Sequence, residues 1–158
     1  METRIASRPK GLQLRVVVSL LGVVSVLAGA LTACGGDEQA SVPGPPATPT
    51  DGVITVRAFE WGFAPDAMLL ARGEAVRIVL QNEGAILHDL KIDTLDAEIR
   101  ESRSSGPLSA DEGELFVGAE AGDEGTLAFV PQESGTFVFY CTIRGHRQLG
   151  MEGALTVQ

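Results

Sequence analysis

The chain has 158 residues, of which 44% are hydrophobic and 21% charged. That is enough for one modest folded domain and too apolar for a disordered chain. Four of the 12 Lys and Arg (Arg4, Arg8, Lys10 and Arg15) precede residue 34, but only Glu2 of the 21 acids does, so the remainder carries 8 bases against 20 acids. A surface that acidic excludes nucleic acid as a partner, because phosphate binding needs clustered cations.

Residues 1 to about 15 are basic, and Val16 to Leu31 (VVVSLLGVVSVLAGAL) is an apolar run. A basic segment, an apolar segment and then small residues form a secretory signal. The run ends in Leu31-Thr32-Ala33-Cys34-Gly35-Gly36, which resembles a bacterial lipobox. Cleavage is expected after residue 33, with Cys34 as the lipidated first residue. The alternative is an uncleaved membrane helix, since Val16 to Ala33 just reaches the length of about 18 residues that spanning requires. Either way, the rest of the chain is expected outside the cytoplasm, anchored at its N-terminal end to the membrane of a bacterial cell envelope. Residues 34–51 are rich in Gly, Pro, Ser and Thr without apolar periodicity, a composition that predicts an extended flexible spacer.

Residues 52–158 carry short strand-like runs between turn signals. These are Val53–Ala58, Ala75–Leu80, Leu87–Ile92, Thr126–Val130, Thr136–Cys141 and Gly153–Val157. Such spacing predicts an all-β domain, a Greek-key sandwich or barrel. Residues 94–114 are polar and read as a surface excursion, with a short helix around Leu95–Ser102. Met68 reads as core. In the penultimate strand Phe137, Phe139 and Cys141 share one face, so the thiol should sit at the dry end of the core.

Cys141, His146 and Met151 follow the spacing C-x4-H-x4-M in a loop with two glycines, and the other histidine, His88, follows a turn at Asn82–Gly84. Taken singly, His88 could be a hydrogen-bonded strand residue, His146 a surface residue, Met151 core filling and Cys141 a small buried hydrophobe. Together they are the only two histidines, the only cysteine of the domain and a thioether. One thiolate, two imidazoles and a weak axial thioether are the ligands of a mononuclear copper site. Zinc could use the first three but has little use for the methionine.

The segment Phe139-Tyr140-Cys141-Thr142, with Gly145-His146 and Gly150-Met151-Glu152-Gly153, resembles the ligand loop of the cupredoxins, the plastocyanin and azurin family of blue type 1 copper proteins. Phe63-Ala64-Pro65, the turn at Gly73–Val76 and Asn82 to His88 are similar to that family's N-terminal half. The loop spacing resembles auracyanin and rusticyanin more than plastocyanin. The resemblance implies one-electron transfer with one copper cycling between Cu(I) and Cu(II). It implies His88 and Cys141 as buried ligands, His146 as the ligand at the solvent edge, and Met151 as the axial one. It also implies a redox partner, a cytochrome or a copper or haem oxidase or reductase, docking transiently near His146.

Two residues depart from the pattern. Asp89 follows His88 where many cupredoxins have Asn, and it is expected to approach Thr142 and lock the two ligand loops together. Arg144 and Arg147 place cations on the rim, which would suit an acidic partner. Delivery of copper to another extracytoplasmic protein would use the same ligands, although the chain has no Met- or His-rich tract. A metal-free sandwich for adhesion or ligand binding would leave the ligand set unexplained. Enzymes with several copper centres need further histidines, so the chain reads as an electron-transfer protein and not an enzyme.

Overall fold

The computed structural model describes residues 44–158; the expected signal, Cys34 and the first part of the spacer lie outside these residues. The strands are β1 (Val53–Phe59), β2 (Gly62–Ala64), β3 (Ala67–Leu70), β4 (Val76–Asn82), β5 (His88–Ile92), β6 (Ala97–Arg103), β7 (Leu115–Ala119), β8 (Glu124–Pro131), β9 (Gly135–Tyr140) and β10 (Glu152–Val157). They form two five-stranded sheets, ordered β2-β1-β4-β8-β6 and β3-β10-β9-β5-β7. The domain is therefore the expected all-β sandwich. Each sheet is mixed, because β1 pairs in parallel with β4 and β10 in parallel with β3.

Period-two burial explains why these segments are strands. Ile54, Val56 and Ala58 on β1 point inward between exposed or half-buried residues, and so do Val76, Ile78 and Leu80 on β4. The opposite sheet supplies Leu90, Ile92, Val117, Phe139, Leu155 and Val157 to the same core cluster. Phe139 is fully buried and packs against Phe63 with ring centroids 5.4 Å apart. Burial of such a side chain contributes about 1.5–3 kcal/mol. Met68 on β3 is core, as its apolar neighbourhood implied.

Residues 94–114 differ from the expectation. No helix forms at Leu95–Ser102; Ala97–Arg103 is the edge strand β6, paired with β8 through an irregularity between Ile99 and Glu101. Ala97, Ile99 and Glu101 are half-buried and alternate with exposed Glu98, Arg100 and Ser102. Charged side chains along an outer strand discourage pairing with other chains, and here they hid the alternation. The continuous run Leu115–Ala119 is wholly buried as β7.

The Pro-rich spacer does not stay free of the domain up to residue 51. The Ala47 amide donates to Ala67 O at 2.9 Å, and the Leu69 amide donates to Ala47 O at 2.8 Å. This segment therefore runs in parallel beside β3 and covers an edge that would otherwise present unpaired backbone groups.

Candidate metal centre

Three strand ends, joined by two connections, deliver the candidate ligands. The first follows the turn between β4 and β5, which Asn82 pins from within. Its buried side chain donates to Ile86 O and Ala119 O, both at 2.8 Å, and its Oδ1 accepts from the Gly84 amide at 2.9 Å. That fixes the entry to β5, whose first residue is His88.

The second and third ends belong to one loop between β9 and β10. Cys141 follows β9 directly, and Met151 immediately precedes β10. The Cys141 amide donates to Met151 O and the Met151 amide to His146 O, each at 3.1 Å, while the His146 amide donates to Ile143 O at 3.0 Å. The eleven-residue motif is thus folded back on itself. Gly145 and Gly150 make this possible with φ of 93° and 104°, a left-handed conformation that side chains with a Cβ resist.

The outcome is a buried cluster. His88 is 0% exposed, Cys141 1%, His146 5% and Met151 0%. Donor atoms of His88, Cys141 and His146 all lie within 4.8 Å of one another. Cys141 Sγ is 3.3 Å from His146 Nδ1, and the two imidazole centroids are 5.1 Å apart. Cys141 is a free thiol.

The electrostatics ask for a cation. Neither Nδ1 nor Nε2 of His88 has a hydrogen-bond partner among the described residues, an unusual state for buried polar atoms. Burial, and next the neighbouring His146, hold the His88 pKa below its ordinary value, so its imidazole is neutral and offers a lone pair. Burial pushes the Cys141 thiol up to about 11. A soft cation would satisfy all three groups at once by taking the thiolate and the imidazole lone pairs. Two imidazoles and a thiolate in a dry site, beside a buried thioether residue, fit copper.

Asp89 joins the two ligand-bearing segments. It is fully buried, and its two carboxylate oxygens accept from the Thr142 amide at 2.6 Å and from Thr142 Oγ1 at 2.8 Å. Burial raises its pKa, and the Thr142 donors act in the opposite direction.

The turn between β1 and β2 contributes two residues that sequence reasoning missed. Trp61 packs edge-on against His146, with ring centroids 4.8 Å apart. His146 is consequently covered, not at an open edge as the resemblance implied. Glu60 accepts from the Ala85 amide at 2.7 Å, a contact that holds its carboxyl below the usual range, and its Oε1 is 3.6 Å from His88 Nε2. The one available signal was the chain's single tryptophan beside a glycine between two strand-like runs. On the rim, Arg147 is drawn down over the Tyr140 ring at 4.1 Å and pairs with Glu152 at 3.0 Å, whereas Arg144 is exposed and has no ion pair among the described residues.

Known proteins agree with this reading of fold and metal. The family described as multicopper oxidase matches residues 44–158. A copper-resistant cuproprotein CopI of Rubrivivax gelatinosus is 34% identical over 120 residues, covering 73% of this chain and 72% of that protein. The protein of the same name from Pseudomonas aeruginosa is 30% identical, over 61% of this chain and 70% of its own length. Among solved structures, the dithionite-reduced auracyanin of Roseiflexus castenholzii superposes with a TM-score of 0.54 at 21% identity, covering 68% of this chain and 97% of that one. A multicopper oxidase from Campylobacter jejuni gives 0.51 at 15% identity, covering 72% of this chain but 30% of that one. The chain belongs to the multicopper oxidase family, and its residues 44–158 form a copper-binding domain of the cupredoxin type.

Proposed function

We propose that the protein is a one-electron carrier in which His88, Cys141, His146 and Met151 hold a single type 1 copper. The observation that carries the proposal is the burial of a preassembled soft donor set: the three nitrogen and sulfur donors already lie within 4.8 Å of one another behind Trp61. Copper in such a site supplies one electron per cycle between Cu(I) and Cu(II). The protein's part is to hold the donors so that neither state requires rearrangement. The loop bonds fix Cys141 against Met151, Asp89 ties Thr142 to the His88 strand, and Trp61 keeps water from His146. Both histidines of the chain are consumed by this site. None is left for further copper centres, which argues against an oxidase activity within this chain despite the family's description.

The lipobox-like Leu31–Cys34 supports secretion and a lipid anchor on Cys34, with residues 1–33 as the signal and the domain held outside the cytoplasm by the spacer that follows. Among the described residues no helix is long and apolar enough to cross a membrane. The redox partner would dock transiently over His146, where Trp61, Ile86 and Leu149 are exposed in the three loops around the site. A second reading, copper handling by uptake or delivery, is favoured by the name of the two CopI relatives.

Addition of one equivalent of Cu(II) should give an intense thiolate-to-copper band that Cys141→Ser abolishes and Met151→Leu retains. Equal colour in Cys141→Ser would refute the ligand assignment. Reduction by ascorbate in the presence of a strong Cu(I) chelator then separates the two functions. An electron carrier keeps its copper and regains its colour on reoxidation; a delivery protein loses the ion to the chelator.

A further inference from the structure

We propose that Glu60 is a positioning residue of the copper site, its carboxylate accepting the Nε2–H of His88 and so leaving Nδ1 as the nitrogen that faces the metal. The inference rests on the copper reading above and adds to it a group outside the ligand loops.

A neutral imidazole has one N–H and one lone pair, and the lone pair is what a metal takes. The remaining N–H of His88 is sealed from solvent, with no partner closer than hydrogen-bond range among the described residues. Glu60 Oε1 faces Nε2 at 3.6 Å, under 1 Å beyond an ordinary hydrogen bond. The carboxylate is not adrift, because the Ala85 amide holds that same oxygen at 2.7 Å. The Glu60 side chain is 32% exposed while that of His88 is fully enclosed, so the carboxylate is the partner with room to close the gap. A metal-ligating histidine that donates its other N–H to a carboxylate has its ring orientation and tautomer fixed and becomes a stronger donor.

Gly84 is an independent observation pointing to the same contact. Its φ is not in the left-handed region, so backbone conformation does not require glycine there. Space does: a Cβ would come within 2.7 Å of Glu60 Oε1, 2.8 Å of His88 Nε2 and 2.9 Å of Glu60 Oε2. The buried imidazole cannot yield, whereas the end of the glutamate side chain can. Gly84→Ala should therefore push the carboxylate away from His88 without touching either residue's identity.

Three variants of the full chain test this: Glu60→Ala, Glu60→Gln and Gly84→Ala. Glu60→Ala should lower Cu(II) affinity about 10- to 100-fold, the usual effect of losing an outer partner of a ligand, and Gly84→Ala should reproduce it. Glu60→Gln keeps an acceptor for both N–H groups but removes the charge. It should retain most of the affinity and raise the reduction potential, because an anion beside the ligand favours the more positive Cu(II). Nitrogen-15 NMR of His88, in the metal-free and Cu(I) proteins, should show the Nε2–H tautomer with a slowly exchanging proton, and exchange should quicken in Glu60→Ala. A merely structural glutamate would change the unfolding midpoint and leave tautomer and potential alone. The Nδ1–H tautomer, or wild-type affinity and potential in Glu60→Ala, would overturn the proposal. Failure of the wild-type protein to take up copper would instead overturn the copper reading, while the metal-free tautomer would still decide the Glu60 contact.

Discussion

Cys141 meets two opposing demands, since the core wants a neutral thiol and a metal wants a thiolate. Burial settles the metal-free state by moving its pKa from the ordinary 9.0 to about 11. Copper uptake near pH 7 should therefore release about one proton per ion, measurable with an indicator dye in weak buffer, because the ligand must deprotonate. The same shift bears on stability. Below pH 9 the thiol is protonated in both folded and unfolded chains. Above it the unfolded chain ionises while the folded one resists until about 11, so metal-free stability falls across that window. Metal-free Cys141→Ser lacks this component, and its unfolding midpoint should decline less from pH 8.5 to pH 11 in the same buffers. Asp89 presents a different balance, because its two hydrogen bonds to Thr142 are geometric and its charge is electrostatic. Asp89→Asn can keep an acceptor for the Thr142 amide while removing the charge. The reduction potential should then rise by roughly 50–100 mV, corresponding to about 1–2 kcal/mol of lost preference for Cu(II) at an effective dielectric near 20. Voltammetry measures this directly, and an unchanged potential would mean that the carboxyl is already neutral in the wild-type protein.

The pairing of β9 with β10 holds both ends of the ligand loop, and its tightest point is Gly153 opposite Phe139. A Cβ on Gly153 would sit 2.2 Å from Phe139 Cζ and 2.5 Å from Asp66 O, the carbonyl that accepts from the Ala154 amide. Neither neighbour has room to retreat: the ring is fully buried and the carbonyl is engaged. Gly153→Ala should cost about 1–3 kcal/mol in denaturant unfolding, the usual result of overpacking. It should also broaden the copper spectrum, because the same strands align Cys141 with Met151. Elements of this kind differ in how readily sequence betrays them. β1, β4, β8, β9 and β10 were legible because their apolar residues alternate or cluster between glycines. β6 was not, because an edge strand can carry Glu98, Arg100 and Ser102 outward and still pair through its backbone. β2 and β3 are too short to show a period. The candidate ligand loop was easy to pick out for a related reason: Cys141, His146 and Met151 are close in sequence, so spacing alone groups them. Glu60 and Trp61 reach the site only because the β1–β2 turn folds over it from about 80 residues earlier in the chain, and no local pattern encodes that approach.

At the scale of the molecule the question is where a negatively charged protein would admit the proposed redox partner. From Cys34 onward the chain has 8 bases against 20 acids. Six of those bases (Arg57, Arg77, Lys91, Arg100, Arg103 and Arg147) are ion-paired, so most of the basic charge is already spoken for. Arg72 and Arg144 have no ion pair among the described residues, and Arg144 alone of these two belongs to the ligand loop. The global field should attract cations and repel anions, while the rim over His146 offers one local exception. Oxidation of the reduced protein by small complexes separates the two effects. A tris-phenanthroline cobalt(III) cation should react fastest at low salt and slow as salt is added; ferricyanide should do the reverse, since screening at 0.1 M acts over about 10 Å. Arg144→Glu and Arg72→Glu change the net charge equally. If electrons leave near His146, Arg144→Glu should slow ferricyanide several-fold more than Arg72→Glu does, with the difference shrinking at high salt. Equal effects of the two reversals would show that the oxidant senses only the total charge, and the docking face would then have to be sought away from the ligand loop.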